Sequence, residues 1–405
     1  MKIKVGVIFG GCSVEHEVSI ISAVQAMENI DQEKYDIIPI YIAKDRTWYT
    51  GKMLLEMDVY RDFDSLKRYA KKVVLVNKDG RFYLEKTTGL FRKVVTELDL
   101  AFPIVHGKNV EDGSLQGYLD SVGIPYVGSK VLGSALGQDK VVQKQIMEIC
   151  KIPTPKYCWF YDSEYLVDSE EIRKQIQSLG FPVIVKPAKL GSSIGISVAH
   201  NEAELDHAIT EAIRYDNKIL VEEMIPNLME VNCSVLGNHE YQETSAIAEM
   251  LTKNSFLTYE DKYIGSGKGK LKGGKLKAPL KQGGKIATGE MRIPARLEKE
   301  LEEKVRQYAI ETFCALNLSG VVRIDFLIDT KAKQVYVNEP NTIPGSLSFY
   351  LWRSVGKDYA SLLDEMMMIA IKEFKNENKK VSSFDSNILS TYQNGGKGLK
   401  GAKKF

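Results

Sequence analysis

The sequence has few cysteines, and no two of them stand at a metal-binding spacing. Its 405 residues include five cysteines, which are Cys12, Cys150, Cys158, Cys233 and Cys314. An odd number without a CxxC pair argues against a disulfide framework and against a cysteine zinc site. We therefore expect reduced thiols and a cytoplasmic protein.

Long apolar runs and a large excess of charge are also missing. No stretch of about 18 apolar residues occurs, so the sequence predicts no membrane-spanning helix. The net charge of +2 predicts no general attraction to nucleic acids or membranes. An apolar fraction of 44% and a charged fraction of 27% are typical of a globular protein. The length allows two or three domains.

Two common nucleotide-binding fingerprints are absent, although glycine-rich turns follow predicted strands. A strand over residues 2–9 is followed by the turn Gly10 to Ser13, a helix over 15–29 and a strand over 35–42. This order begins a doubly wound sheet, whose ligands lie at the carboxyl ends of the strands. The first turn is not GxGxxG, and the loop 189–195 is not a Walker P-loop. That loop still offers backbone N–H groups and hydroxyls to phosphates.

Two polar residues follow strands at the predicted ligand-binding edge. Glu15 stands in the first turn of the first helix, where a carboxylate suits the helix dipole or faces a crevice that takes a cationic group. His106 follows a strand over 98–105 and precedes a second glycine-rich loop. A single histidine at such a position is more often structural than functional.

The stretch 320–346 reads as two strands joined by a polar turn. Residues two apart on a strand share a face, so Arg323 and Asp325 lie together, as do Glu339 and Asn341. A hairpin brings Asp325 beside Glu339 and Asn341, and Mg²⁺ suits such carboxylates when substrate phosphates complete its shell. The alternative is a solvated polar face on a half-buried hairpin.

Composition and breaks in the pattern divide the chain into consecutive units. Residues 44–98 are an irregular insertion, residues 296–316 a long helix and residues 359–374 a last amphipathic helix. The run 265–285, rich in glycine and lysine, predicts a mobile loop. The predicted limits are an N-terminal domain 1–139, a central unit 140–228, a C-terminal unit 229–374 with a mobile loop 259–290, and a disordered tail 375–405.

Four separated motifs together resemble those of the D-alanine–D-alanine ligases, members of the ATP-grasp superfamily. The motifs are GGCSVEHEVS (10–19), HGKNVEDGSLQGYLDSVGIPYVGS (106–129), KPAKLGSSIG (186–195), and RIDF with NEPNTIPGS (323–346). The resemblance covers roughly residues 1–372. It implies an α/β ATP-grasp fold in which an N-terminal doubly wound parallel-sheet domain precedes two α+β units that clamp ATP. It also implies a homodimer that joins two D-alanines for peptidoglycan synthesis.

The resemblance assigns an ATP and metal site residue by residue. Lys140 and Lys186 contact ATP phosphates, and the loop that carries Ser193 closes over them. Lys262 reaches the γ-phosphate. Adenine and ribose are bound by Glu222, Ile225 and Glu230. Two Mg²⁺ or Mn²⁺ ions are held by Asp325, Glu339 and Asn341.

The resemblance also assigns the catalytic groups. Glu15 binds the ammonium group of the first D-alanine, and Ser192 and Tyr263 link to it. Arg323 and the Gly345 N–H stabilise the tetrahedral oxyanion, and His106 assists at the second D-alanine.

One departure concerns the second substrate. The segment after Gly345 reads SLSFYLW, and Tyr350 stands where the family's carboxylate-binding serine is expected. Either the Tyr350 hydroxyl binds that carboxylate, or Ser346 or Ser348 does so while Tyr350 packs.

The alternatives for the whole protein are a D-alanine–D-serine or D-alanine–D-lactate ligase, another ATP-grasp amino-acid ligase, or a catalytically silent ATP-binding regulator. Nucleic-acid binding through the lysine-rich run is disfavoured because no aromatic residues interleave there for base stacking.

Overall fold

A computed structural model of the chain describes residues 2–89, 93–192, 194–251 and 291–383. Its strands form three sheets, which follow one another along the chain. Among the described residues, no helix combines the length and the apolarity needed to cross a bilayer.

The first sheet has seven strands and a mixed direction. Its order is β6-β5-β4-β3-β2-β1-β7, with β1 (Ile3–Gly10), β2 (Tyr35–Ile42), β3 (Trp48–Thr50), β4 (Lys71–Lys78), β5 (Arg81–Lys86), β6 (Val94–Leu98) and β7 (Leu100–Val105). Strand β1 is parallel to β2 and β7, as a doubly wound sheet requires. The helices of this region are α1 (His16–Asn29), α2 (Phe63–Tyr69), α3 (Ser114–Val122) and α4 (Val131–Gln138).

The predicted insertion gives the first sheet its mixed direction. Strands β3 to β6 come from the insertion and join the sheet in antiparallel pairs. Between β4 and β5, Asp79 and Gly80 have φ values of 54° and 78°. Two consecutive positive φ angles make the tight hairpin turn that joins antiparallel strands. The insertion therefore widens the sheet from its edge and leaves the parallel core intact.

The second sheet is antiparallel and has different neighbours on its two faces. Its order is β10-β9-β11-β8, with β8 (Tyr157–Tyr161), β9 (Val183–Pro187), β10 (Ser197–Ala199) and β11 (Lys218–Glu223). Its helices are α5 (Lys140–Ile149), α6 (Asp162–Val167), α7 (Ser169–Gln177) and α8 (Glu202–Ile213). Apolar residues of α7 and α8 pack on one face. On the other face, Leu220 packs with Val141 of α5, which leaves room there for polar side chains.

The third sheet separates an apolar face from a polar one. Its order is β14-β13-β12-β15-β16, with β12 (Leu228–Gly237), β13 (Gln242–Met250), β14 (Met291–Arg292), β15 (Gly320–Asp329) and β16 (Gln334–Asn341). Helix α9 (Lys299–Ala315) buries Val305 and Phe313 against Ile324 and Phe326. Because side chains alternate along β15, Arg323 and Asp325 face away from that core. The chain continues with α10 (Phe349–Arg353) and α11 (Tyr359–Glu377).

Several predicted boundaries were wrong by a few residues. Helix α9 begins at Lys299 and not at residue 296, because the Ala295 N–H donates to Ile247 of β13 at 2.8 Å and holds this segment against the sheet. Helix α11 continues to Glu377, so the predicted tail from 375 begins inside a helix. Helix α4 was not predicted, because its two glycines lower helix propensity. The loop 259–290 and the tail beyond 383 lie outside the described residues.

Candidate active site

The polar face of the third sheet brings the predicted metal ligands together. Asn232, Asp325 and Glu339 are partners across β12, β15 and β16. Asp325 accepts hydrogen bonds from Asn232 Nδ2 at 2.5 Å and from Asn341 Nδ2 at 3.1 Å. Arg323 donates to both of its oxygens, from Nε at 2.7 Å and from Nη2 at 2.9 Å. Asn232 was not predicted from the sequence, although it alternates with Glu230 on one strand.

Lys140, the first residue of α5, also lies at this polar face. Lys140 Nζ lies 2.9 Å from Glu339 Oε2 and donates to the Leu190 carbonyl at 2.8 Å. Burial acts to lower the pKa of Lys140, but the carboxylates around it, Glu339 first and then Glu15 and Glu222, together outweigh burial and raise that pKa. The ammonium group therefore stays charged at neutral pH between the loop 189–195 and the hairpin.

The donor set fits a magnesium ion that also binds substrate. Asp325 and Glu339 supply carboxylate oxygens, and Asn341 supplies an amide oxygen beside them. In the part of the chain that the structure describes, no group of three or more His, Cys, Asp and Glu residues could hold a metal. Mg²⁺ is commonly held by one or two carboxylates, with substrate phosphates and water in its other positions. The residues present match that pattern.

Two lysines and a glutamate form a buried cluster on the face of the second sheet that packs against α5. Lys186 of β9 lies opposite Leu220 of β11. Glu222 follows Leu220 by two residues on the same strand, so its side chain is on the same face of the sheet as that of Lys186. Lys186 pairs with Glu222 and donates to Asn338 Oδ1 at 3.2 Å. Lys144 Nζ of α5 lies 2.5 Å from the other Glu222 oxygen. Sequence reasoning missed Lys144, although it follows Lys140 by one helical turn.

The predicted adenine and ribose residues lie at the passage from the second sheet to the third. Glu222 is the last residue but one of β11, with 1% of its surface exposed, and contacts two lysines. Ile225 is buried in the connection, and Glu230 is half-buried at the beginning of β12. Ser193, Lys262 and Tyr263 lie outside the described residues.

Glu15 and Ser192 meet across two different loops. Ser192 Oγ donates to Glu15 Oε1, and both side chains are buried. Two glycines allow this approach. A Cβ added at Gly107 or at Gly191 would lie 2.8 or 2.9 Å from Glu15 Oε2, too close for any real side chain. The predicted link between these two residues is therefore present in the structure.

His106 supports the backbone rather than an open pocket. Its Nε2 lies 3.1 Å from Ser22 Oγ of α1, and the same oxygen accepts from the Ser346 N–H at 3.0 Å. Burial lowers the pKa of His106 to about 4, so the imidazole is neutral at pH 7. It thus helps to fix the turn that begins at Gly345.

The turn after Gly345 has a left-handed backbone. Ser346, Leu347 and Ser348 have φ values of 50°, 51° and 51°. Such angles are costly for residues other than glycine and persist only where the surroundings enforce them. Ser346 Oγ donates to Gln25 Oε1 at 2.6 Å, whereas the buried Ser348 Oγ has no hydrogen-bond partner among the described residues.

Tyr350, the third candidate for the second substrate's carboxylate, lies just beyond this turn. It is half-buried, and its ring meets that of Phe349 edge-on at 6.1 Å.

Glu111 connects the first region to the third and was missed in the sequence. Its carboxylate accepts from the Gly107 N–H at 2.9 Å, from Thr342 Oγ1 at 2.9 Å and from the Ile343 N–H at 3.0 Å. Burial, assisted by the charge of Glu15, raises its pKa to about 7. The only signal for it was its place in the EDGS motif, because two of its partners lie far along the chain.

Two family profiles match the chain and together cover most of it. The profile described as "D-ala D-ala ligase N-terminus" matches residues 4–129, and the one described as "D-ala D-ala ligase C-terminus" matches residues 146–368. The D-alanine--D-alanine ligase of Thermosipho melanesiensis is 40% identical over 389 residues, which are 96% of this chain and 98% of that protein.

Solved structures show the same likeness. The D-alanine-D-alanine ligase from Coxiella burnetii has a TM-score of 0.76 at 27% identity, and the match covers 93% of this chain and 96% of that one. The VanG D-Ala:D-Ser ligase from Enterococcus faecalis has a TM-score of 0.73 at 31% identity, covering 91% of this chain and 100% of that one.

Proposed function

The chain belongs to the D-alanine–D-alanine ligase family, and we propose that it joins two D-alanines with ATP through an acyl-phosphate intermediate. The predicted ATP-grasp fold, with a parallel core in the first sheet, is confirmed. The dipeptide product serves peptidoglycan synthesis. An ATP-dependent carboxylate–amine ligase is the class of enzyme to which its relatives belong.

The observation that carries the proposal is the row of polar side chains on β12, β15 and β16. Asp325 and Glu339 are directly opposed on adjacent strands, and Lys140 is directed at Glu339. Placing several charged side chains close together on a sheet face that contacts water adds little to the stability of the fold. A triphosphate with its metal does need this combination of lysines and carboxylates.

In this proposal the lysines and the hairpin bind the nucleotide. Lys140 and Lys186 neutralise phosphate oxygens, together with Lys262 and the loop that carries Ser193. Asp325, Glu339 and Asn341 hold two Mg²⁺ or Mn²⁺ ions, which supply charge neutralisation at the transferring phosphoryl group. Adenine and ribose are contacted by Glu222, Ile225 and Glu230.

The substrate carboxylate is a poor electrophile, and phosphorylation makes it reactive. Phosphoryl transfer depends mainly on positioning and on stabilisation of charge. Glu15, held by Ser192 and in turn by Tyr263, binds the ammonium group of the first D-alanine. The amine of the second D-alanine then attacks the carbonyl carbon of the acyl phosphate, in a pocket whose wall His106 supports. The new C–N bond replaces the C–O bond to phosphate, which leaves, and the nitrogen loses a proton.

Attack by the amine places negative charge on the former carbonyl oxygen. Arg323 and the Gly345 N–H are the proposed donors to this oxyanion. A preorganised donor of this kind contributes about 3 to 4 kcal/mol in other enzymes. A Cβ built at Gly345 meets no atom of the described residues within 4 Å, so these residues leave space beside it for a substrate atom.

We also propose a cytoplasmic homodimer with the domain limits 1–139, 140–228 and 229–374. The five cysteines are free thiols, which suits a reducing compartment. The strands of the three sheets fall within these limits, apart from one residue at the beginning of β12. The dimer rests on the family alone.

ADP release with a series of acceptors tests the proposed function. D-alanine alone should stimulate ADP release and yield the dipeptide in equal amount. D-serine and D-lactate, each added with a low concentration of D-alanine, test the alternatives, because one similar structure is a D-Ala:D-Ser ligase. Release of ADP with L-amino acids only, or none with any acceptor, would contradict the proposal.

A further inference from the structure

Lys144 is a fully buried lysine that has no place in the roles proposed above. It lies one turn after Lys140 on α5, on the side that faces the second sheet, and 1% of its side chain is exposed. Its ammonium group lies 2.5 Å from Glu222 and 5.5 Å from the centre of the Tyr157 ring. Burying a charged group without a partner is costly, so the groups that contact the Lys144 ammonium indicate its role.

The cluster that contains Lys144 brings two lysine side chains to one carboxylate, and burial lowers the pKa of Lys144 within it. Glu222 contacts Lys144 with one oxygen and Lys186 with the other. Burial acts to raise the pKa of Glu222, but the two lysines outweigh it and lower that pKa to about 2. Glu222 is therefore ionised at any physiological pH and needs a cation beside it.

One lysine is enough to neutralise the Glu222 carboxylate. Lys144 therefore matters to Glu222 only when the ammonium group of Lys186 binds another group. Lys186 also reaches Asn338, next to the candidate metal ligand Glu339. If Glu222 had no partner except Lys186, moving that ammonium group towards a phosphate would leave a buried carboxylate unpaired. Such a loss is strongly unfavourable. With Lys144 in place, Glu222 keeps a partner throughout.

We propose that Lys144 is a positioning residue that keeps Glu222 paired and so leaves the Lys186 ammonium group available to a nucleotide phosphate. The inference rests on the proposed function, because it takes Lys186 as a phosphate-binding residue. It concerns the binding of phosphate and not the chemistry at the amino acids. Lys144 acts through Lys186 and does not itself touch the nucleotide.

The test compares two ligands that differ only in their phosphates. The affinities of ADP and of adenosine are measured by calorimetry for the wild type and for Lys144→Met. In the variant, Glu222 retains Lys186. We expect the ratio of the adenosine Kd to the ADP Kd to fall at least about tenfold, as for the loss of one charged hydrogen bond. The adenosine Kd itself should change little.

Removing the charge of Glu222 should abolish the effect of Lys144. We expect the ratio to agree within about threefold between Glu222→Gln and the double variant Lys144→Met/Glu222→Gln, since coupled residues are non-additive. This pair keeps the test decisive if Lys144→Met alone does not fold. Lys357→Met is the matched control, because Lys357 also pairs with two carboxylates and has 16% of its side chain exposed.

Three results would overturn the inference. The first is a ratio of adenosine Kd to ADP Kd that is the same in Lys144→Met as in the wild type, together with a loss of stability like that of Lys357→Met. Lys144 would then be a structural residue only. The second is an equal weakening of both ligands, which would place its effect at the nucleoside. The third is a wide difference between the two Glu222→Gln variants. A protein that shows the expected ratios but releases no ADP with D-alanine would contradict the proposed function and leave this inference standing.

Discussion

At the scale of single residues, each carboxylate of the candidate metal site already faces a cation. Arg323 donates two hydrogen bonds to Asp325, and Lys140 pairs with Glu339. Nearby positive charges favour the ionised form of a carboxylate and offset the repulsion between two of them. The ion pairs thus hold both side chains in place.

Glu339→Gln should abolish Mg²⁺-dependent ADP release while the protein stays folded. The substitution retains the shape of the side chain but removes the charge that attracts the metal. The measurement is ADP release at saturating D-alanine, with circular dichroism as a check of folding. Glu298→Gln is the matched control, because that glutamate pairs with Lys333 at the surface. A folded Glu339→Gln protein with near-normal turnover would contradict the metal assignment.

Tyr350→Phe should raise the apparent KM for the second D-alanine at least about tenfold, with ATP binding little changed. One hydrogen bond to a charged group contributes about 1.5 to 3 kcal/mol, and the phenol is the donor lost in this variant. Initial rates over a range of D-alanine concentrations separate the two sites.

A KM within about twofold of the wild type would show that Tyr350 only packs. The carboxylate partner would then be sought at Ser348, whose buried hydroxyl has no partner among the described residues, before Ser346, which is bonded to Gln25.

At the scale of elements, helix α5 fixes the lysines of the site through its first turn. The Asp139 carboxylate accepts from the N–H groups of Val141 and Val142 at 3.0 and 3.2 Å, which caps the helix. The same carboxylate pairs with the buried Lys218 at 3.0 Å. Lys140 follows Asp139 directly, so the cap also fixes the backbone position from which the Lys140 side chain extends to the site.

Asp139→Ala should lower the free energy of unfolding and raise the KM for ATP. Loss of a cap costs about 1 kcal/mol, and the loss is larger here because Lys218 becomes unpaired. Asp139→Asn keeps the cap without the ion pair and should fall between the wild type and the alanine variant. Urea denaturation and ATP kinetics measure the two effects. Equal stability of all three proteins would rule out the cap as a support of the site.

At the scale of the whole molecule, side chains of the first region hold the turn that follows β16. Ser22 accepts from Ser346, and Glu111 accepts from Thr342 and Ile343. Farther away, Tyr35 at the beginning of β2 donates to Asp364 of α11 at 2.8 Å. The proposed pocket for the second substrate is therefore assembled from parts that are more than 200 residues apart in the chain.

Glu111 should make stability depend on pH. Its pKa is about 7 in the folded protein against an ordinary value of 4.5, so the folded state binds the proton more tightly. Its contribution is fully present below about pH 4.5 and is lost as the pH rises towards 7, by about 3 kcal/mol at most.

Glu111→Gln lacks this titration, so its stability relative to the wild type should rise across that window. Urea denaturation at closely spaced pH values checks the slope. Parallel pH profiles for the two proteins would contradict it.

The amino-acid sequence by itself determined most strands and helices, the family, and which side chains of β15 and β16 share the candidate metal-binding face. These features depend on local alternation and on motifs that neighbouring residues complete. The pairing of Asp325 with Glu339 followed from two adjacent strands and a short turn, and the structure shows it.

Tertiary structure alone decided which distant side chains meet. The local sequence does not show the partners of Lys144 and Glu111, because those partners come from other strands and loops. The joining of the insertion to the first sheet is also a tertiary feature, since it depends on the free edge that β2 offers to β3. The burial that moves the pKa of His106 and of Glu111 likewise arises only when separate elements close around them.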